Sequence, residues 1–348
     1  MGMETEMTAT PLLLSGAPGS PYTRKMLAVL RYRLIPYRFL IGETPAALGL
    51  PKPKVQLLPT FYLPNDTGEM EAVVDSTPLI RRFEAAFPER KIVPSDPVIE
   101  FLDYLLEDFA DEWLTKAMFH YRWYYKPDID RAAAILPRWR NVTQPEDEAL
   151  KMGEIFADRQ IKRLYVVGSN NVTAPVIEAS YLRLLDALKA HLETAPYIMG
   201  KRPGASDFGF YGQLTQLTHF DPTPMEETLI RAPRVFAWVD IVEDSSGVEP
   251  TEEDWISRDA IPETLKGLLN EVGRVYAPVM LANAKALMDG AEEVRTEVDG
   301  REWVQQPFPY QGKCLAWLRE KRAALSDTDR KAVDAILKDT GCETLFRE

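Results

Sequence analysis

The chain has 348 residues and a formal net charge of −12, with 53 Asp and Glu against 41 Lys and Arg. That is length enough for two or three domains, and the wrong sign of charge for nucleic acid or an anionic membrane surface as the main partner. The two cysteines, Cys314 and Cys342, and the three histidines, His120, His191 and His219, are too few and too scattered for a disulfide framework or a metal site.

No apolar run approaches the ~18 residues of a membrane span. Met1 to Thr10 is polar, so the expectation is a cytoplasmic protein without a secretory signal. In chain order, Leu12 to Leu14 read as a buried strand and Gly16, Pro18 and Gly19 as a turn. Ser20 then serves as an N-cap with Pro21 at the first helical position. Leu27, Leu30 and Leu34 repeat at helical spacing, and a strand feeding a helix N-terminus suits an anion or a thiolate. Tyr37, Phe39 and Ile41 alternate as a second strand, parallel to the first across the helix. Gly42 to Lys54 carries three prolines and reads as an irregular loop. Val55 to Leu63 is expected to be a third strand, with Pro59 inside it demanding an edge, a bulge or a special geometry. Asn65 to Gly68 turns the chain into a short fourth strand ending at Val73-Val74. Asp75-Ser76-Thr77-Pro78 starts a helix by its capping chemistry, with Leu79, Phe83 and Phe87 on the buried face.

Beyond the linker at 92–97, Asp96-Pro97 opens a long helical pattern through Ile99, Leu102, Leu105, Leu106, Phe109 and Trp113. It runs into an aromatic cluster from Phe119 to Tyr125. Residues 128–172 are mixed and charged, and a helix from about Pro175 follows. Gly204-Ala-Ser-Asp207 starts another helix, as does Pro233. In the last hundred residues, a helical face at Leu265 to Tyr276, a hairpin around Asp299-Gly300, a helix near Cys314 and a last helix capped at Ser326 describe a folded extension.

The order βαβ, loop, ββα over 11–88, with Ser20-Pro21-Tyr22, Leu58-Pro59 and Asp75-Ser76 in place, resembles the thioredoxin-like N-terminal domain of glutathione transferases. The segment around Asp207 resembles the start of the core helix in that family's second domain, with Gly204 where Ser or Thr usually caps. The implied fold is an α/β thioredoxin-like domain at 9–90 followed by an all-α helical domain at 96–250. The extension, 251–348, lies outside the family plan and is expected to pack on the helical domain.

The resemblance implies glutathione as co-substrate and a hydrophobic small molecule as its electrophilic partner. No metal is implied, and a homodimer with a detoxification role is. Ser20 would stabilise the glutathione thiolate, with Tyr22 as the competing hydroxyl donor. Leu58, before a cis Pro59, would pair by its backbone with the cysteinyl part. Ser76 and the amides of its helix would hold the γ-glutamyl carboxylate, and Asp75 its ammonium. Asp75 is one methylene shorter than the Glu often found there. Lys54 is the candidate for the glycyl carboxylate, and Phe119, Tyr121 and Tyr124 are candidates to line the co-substrate cleft. As a residue type alone, Ser20 before Pro21 is far more often a plain cap than a catalyst, and at least half of the aromatic cluster reads more readily as core or dimer contact. Ser20 and Thr23 stand where a glutaredoxin has its two sulfurs, so dithiol redox chemistry there is excluded. The alternative to an enzyme is a non-catalytic glutathione-fold binding or regulatory protein.

Overall fold

The computed structural model describes residues 11–41 and 45–347; Met1 to Thr10 and the start of the loop at Gly42 lie outside the described residues. The apolar run forms β1 (Leu12–Ser15), and Ser20 caps α1 (Pro21–Tyr32), which buries Met26, Leu27, Val29 and Leu30. The helix returns the chain to β2 (Tyr37–Leu40), parallel to β1 with Leu12 opposite Tyr37.

The third strand differs from the sequence expectation. β3 (Thr60–Pro64) begins only after Pro59, and 55–59 is loop, because the proline ring has no N–H to give a ladder and the Leu58-Pro59 bond is cis. β3 lies antiparallel between β1 and β4 (Met70–Val73), which gives the sheet order β2-β1-β3-β4. The Asn65 side chain makes the connecting turn, accepting from the Thr67 and Glu69 N–H groups at 3.0 and 2.9 Å. α2 (Ser76–Ala86) packs Leu79, Ile80 and Phe83 into the core. Its N-cap residue Asp75 makes no side-chain cap, a departure from the capping expectation explained below.

In the helical domain α3 (Pro97–Phe109) is capped by Asp96, whose Oδ1 accepts from Val98 and Ile99 N–H. A π-helical turn at Ala110–Leu114 carries it unbroken into α4 (Thr115–Tyr124). The charged 128–172 stretch resolves into α5 (Lys126–Arg140) and α6 (Glu146–Ile161). α7 (Ala174–His191), α8 (Ala205–His219), α9 (Pro222–Arg231) and α10 (Pro233–Glu243) follow.

α8 is buried along almost its whole length. Asp207 accepts from Gly204 N–H and Ile198 N–H, both at 2.8 Å. The hydroxyl cap missing at Gly204 is replaced by Asp103 of α3, which accepts from the N–H groups of Ala205 and Ser206 at 3.2 and 3.0 Å. A Cβ at Gly204 would fall 2.5 Å from Asp103 Oδ1, so only glycine lets that carboxylate reach the helix end.

The last hundred residues fold into helices and a hairpin. α11 (Glu263–Glu271) passes through a π turn into α12 (Ala277–Asp289), then the hairpin β5 (Val294–Val298) and β6 (Arg301–Gln305), α13 (Pro309–Ala324) and α14 (Asp327–Leu337). Asp299 and Gly300 both take positive φ, as a type I′ turn requires. The extension wraps α3 and its continuation. Phe346 meets Phe101 at 5.7 Å between ring centres, Tyr276 meets Phe109 at 6.1 Å, and Trp303 meets Trp113 at 5.2 Å. Among the described residues no helix is long and apolar enough to cross a membrane.

Candidate functional site

Ser20 sits in extended conformation at the head of α1, where its Oγ accepts from Thr23 N–H at 3.3 Å. The same hydroxyl lies 3.5 Å from the carbonyl oxygen of Leu58, toward which it donates. The cap and the residue before the cis proline are therefore neighbours, although 38 residues apart. Thr23, where a glutaredoxin has its second sulfur, is fully buried, and its hydroxyl receives Ala17 N–H at 3.4 Å.

The turn that presents Ser20 is held from outside its own domain. Arg122 of α4 is buried and donates to the Gly19 carbonyl at 2.9 Å. Its other N–H groups go to both oxygens of Asp221 and to Gln216 Oε1. Arg24 and Gln216 donate to the Pro18 carbonyl at 3.0 and 3.3 Å. Burial pushes the Asp221 carboxyl up to about 6, against the pull of Arg122. Arg122 was legible in the sequence only as a member of an aromatic cluster, and no local spacing ties it to Gly19.

At the head of α2, the third of the candidate ligand handles after Ser20 and Leu58, Ser76 is buried in the first turn, and the leading N–H groups of the helix have no partner inside it. Asp75 holds φ +85°, a region that L side chains enter at a cost of about 1–3 kcal/mol and that Asp tolerates better than most. Its carboxylate is freed from capping and accepts the hydroxyl of Tyr310, from α13 of the extension, at 2.8 Å. Burial, then Cys314 and Asp75 nearby, pushes the Tyr310 hydroxyl well up, so it stays a donor.

Behind these handles lies a buried ionic network. Lys25 of α1 donates to Glu107 at 2.8 Å and Asp111 at 2.6 Å, and Arg81 of α2 donates to Glu107 at 2.9 Å. Burial works against the charge of Lys25, but Asp111 and Glu107 outweigh it and hold the ammonium above its ordinary range. Thr77 of the α2 first turn reaches both carboxylates, at 3.3 and 3.4 Å. Tyr22 also belongs here, since its hydroxyl donates to the Asp111 carbonyl of the helical domain at 2.8 Å.

The remaining candidates do not converge. Lys54 is exposed on the loop before Pro59. Tyr121 is a core residue, its ring 5.9 Å from Tyr125 and 5.5 Å from Tyr181. Phe119 packs on Trp123, and Tyr124 donates to Asn171 at 2.9 Å. The aromatic run follows a helix, so its members point to different sides. Beside Gly19, the residue before Ser20, lie Leu136 and Trp139 of α5, which a Cβ at Gly19 would approach within 2.5 and 3.1 Å; Leu58, whose carbonyl Ser20 reaches, is exposed, as is its neighbour Leu57. Cys314 and Cys342 are buried free thiols pushed up chiefly by burial, Cys342 to about 12. Neither is poised as a thiolate.

Two family models match the chain: glutathione S-transferase, N-terminal domain, over residues 14–91, and glutathione S-transferase, C-terminal domain, over residues 157–240. Similar solved structures include a glutathione S-transferase of Methylobacterium radiotolerans in complex with glutathione sulfonate. It is 19% identical, with 68% of this chain and 92% of that chain covered and a TM-score of 0.40. A glutathione S-transferase of Rhodospirillum rubrum is 16% identical, with 71% and 96% covered and a TM-score of 0.42. A tau class glutathione S-transferase of mango, Mangifera indica, is 21% identical, with 70% and 94% covered and a TM-score of 0.38. No curated protein matches the chain. With the family's two domains matched in order along one chain, the protein belongs to the glutathione S-transferase family.

Proposed function

We propose that the protein is a glutathione transferase in which the Ser20 hydroxyl stabilises the glutathione thiolate for attack on a hydrophobic electrophile. The observation that carries this reading is the approach of Ser20 Oγ to the Leu58 carbonyl at 3.5 Å, at the head of α1. The cysteinyl N–H of glutathione would take that carbonyl, as a strand pairs with an edge, and so release the Ser20 proton toward the sulfur. A free thiol has a pKa of ~8.5, and a hydroxyl donor plus a helix N-terminus favours its anion. The engagement of Tyr22 with Asp111 supports Ser20 over Tyr22 as the donor.

In this reading the backbone at Leu58 aligns the cysteinyl part, Ser76 and the free amides of α2 hold the γ-glutamyl carboxylate, and Asp75 meets its ammonium. Leu136, Trp139, Leu57 and Leu58 supply apolar surface beside the sulfur. Attack of the thiolate on an electrophilic carbon forms the C–S bond, and either the pair of the broken bond departs with a leaving group or, on addition to an activated double bond, the resulting carbanion takes a proton from water. The test is titration with glutathione followed by the ultraviolet thiolate absorbance of the complex, in wild type and Ser20→Ala. Binding with a thiolate band that Ser20→Ala abolishes is expected; absence of binding overturns the reading, and a band indifferent to Ser20 removes its role.

A further inference from the structure

Asp75 is a strained, half-buried acid whose carboxylate has given up the helix-capping role its sequence position suggests. Among the described residues the donor it has instead is Tyr310, 235 positions later in the chain. That donor is held firmly. The Asn283 side chain brackets Phe308, donating to its carbonyl at 2.9 Å and accepting its N–H at 2.7 Å, which fixes the start of α13. One residue after Tyr310, buried Gln311 donates to the Glu112 carbonyl at 3.2 Å. Trp317, about two turns along the same helix, stands at 90° to the Tyr310 ring, and Lys313 lies 4.2 Å over Trp317.

We propose that the extension completes the γ-glutamyl end of the ligand site, with Tyr310 as a positioning residue for Asp75. An aspartate is one methylene short for this task and has two rotatable torsions. A hydroxyl bound to Oδ2 fixes the carboxylate plane and leaves Oδ1 directed to the ligand's ammonium. A carboxylate can accept from both partners at once, since each oxygen has two acceptor sites. Tyr310 is a neutral donor, so it holds Asp75 without an ion pair that would compete with the ligand. The γ-glutamyl amino group is thus read by the N-terminal domain and the extension together. The inference rests on the reading of Asp75 and Ser76 as the γ-glutamyl site given above.

The test uses the full chain and calorimetric titration with two ligands, glutathione and its analogue lacking the α-amino group. Tyr310→Phe keeps the ring and its packing on Trp317 and removes only the hydroxyl; far-ultraviolet circular dichroism and the denaturation midpoint verify that the fold is retained. The expected result is a five- to tenfold loss of glutathione affinity in Tyr310→Phe, no change for the deaminated analogue, and no further loss when Tyr310→Phe is added to Asp75→Asn. A merely structural contact would weaken both ligands alike. Equal loss for both ligands, no loss for either, or tighter glutathione binding in Tyr310→Phe would each overturn the proposal, the last by showing that the hydroxyl competes with the ammonium. Failure of wild type to bind glutathione at all would instead overturn the site reading, and the proposal with it.

Discussion

Asp103, in the middle of α3, and Ser206, in the first turn of α8, are joined by two hydrogen bonds to the same carboxylate oxygen: the Ser206 N–H at 3.0 Å and its hydroxyl at 2.6 Å. A cap normally supplied by the residue before the helix is here supplied by another helix. Asp103→Ala removes three acceptor contacts from a fully buried helix end and should cost about 3 kcal/mol. Gly204→Ala should cost about 1–3 kcal/mol, because its methyl group would displace the same carboxylate. Denaturant midpoints at constant slope measure both, and a loss below about 0.5 kcal/mol in Asp103→Ala would refute the substitute cap.

Ser20 has two tasks that can be separated. Ser20→Ala should lose about 1 kcal/mol of stability with the cap, together with the thiolate of bound glutathione. Ser20→Asp keeps an oxygen for Thr23 N–H but brings no hydroxyl proton and adds negative charge beside the sulfur. It should retain stability within about 0.5 kcal/mol and still lack the thiolate band. If Ser20→Asp forms the thiolate normally, the hydroxyl is only a cap.

Tyr22→Phe removes a hydroxyl bound to the Asp111 carbonyl. About 1 kcal/mol of stability should be lost, with the thiolate band of bound glutathione unchanged. A band that shifts with this substitution would return Tyr22 to the chemistry.

Arg122→Met should be more disruptive. It leaves Asp221 buried without its partner and frees the Gly19 carbonyl, so a loss of about 3–5 kcal/mol is expected. Arg122→Lys keeps the charge but not the forked geometry that binds Asp221, Gln216 and Gly19 together. It should fold, with glutathione affinity reduced because the turn bearing Ser20 is loosened. Unchanged denaturation and binding in Arg122→Lys would sink this assignment.

The buried acids of α3 and the π turn set a pH response. Burial is the leading cause that pushes Asp108 up to about 7 and Glu112 up to about 8, with the other carboxylates of that turn adding to it. In the unfolded chain these groups titrate near ~4. The native state therefore holds protons that the unfolded state has released, and stability falls as pH rises from about 4 toward about 8, by up to about 1.4 kcal/mol per pH unit for each group. Asp108 receives the Tyr276 hydroxyl, which an asparagine oxygen can also accept. The urea midpoint of wild type should drop between pH 5 and pH 7, and Asp108→Asn should show a shallower drop. Parallel profiles would mean that Asp108 is not one of the groups involved.

The thioredoxin-like half was readable because its signals are local. The Ser20-Pro21 cap, the Asn65 turn and the prolines each dictate backbone near themselves, and β1, α1, β2 and α2 lie where those signals put them. Pro59 marks a special geometry, but the alternation from Val55 predicts a strand running through it, whereas the ring delays pairing until Thr60. Contacts that join distant segments left no mark. Arg122 on Gly19, Asp103 on Ser206 and Tyr310 on Asp75 each depend on where whole helices pack, and side-chain type gives no hint of the partner. In the aromatic run from Phe119 to Tyr125 residue type leaves cleft and core both open, and helical periodicity decides by direction, sending Tyr121 to the core and Phe119 onto Trp123.

The hydrogen bond from Tyr310 to Asp75 also has a consequence in time. A ribosome makes Asp75 long before Tyr310, and N-terminal domains begin to fold while the rest is being made. During that interval the strained acid at the head of α2 has no hydroxyl beside it, and Phe101, Phe109 and Trp113 lack the aromatic partners that later cover them. On the proposed reading the site therefore matures in chain order, with the final helices finishing a surface that the opening strands began.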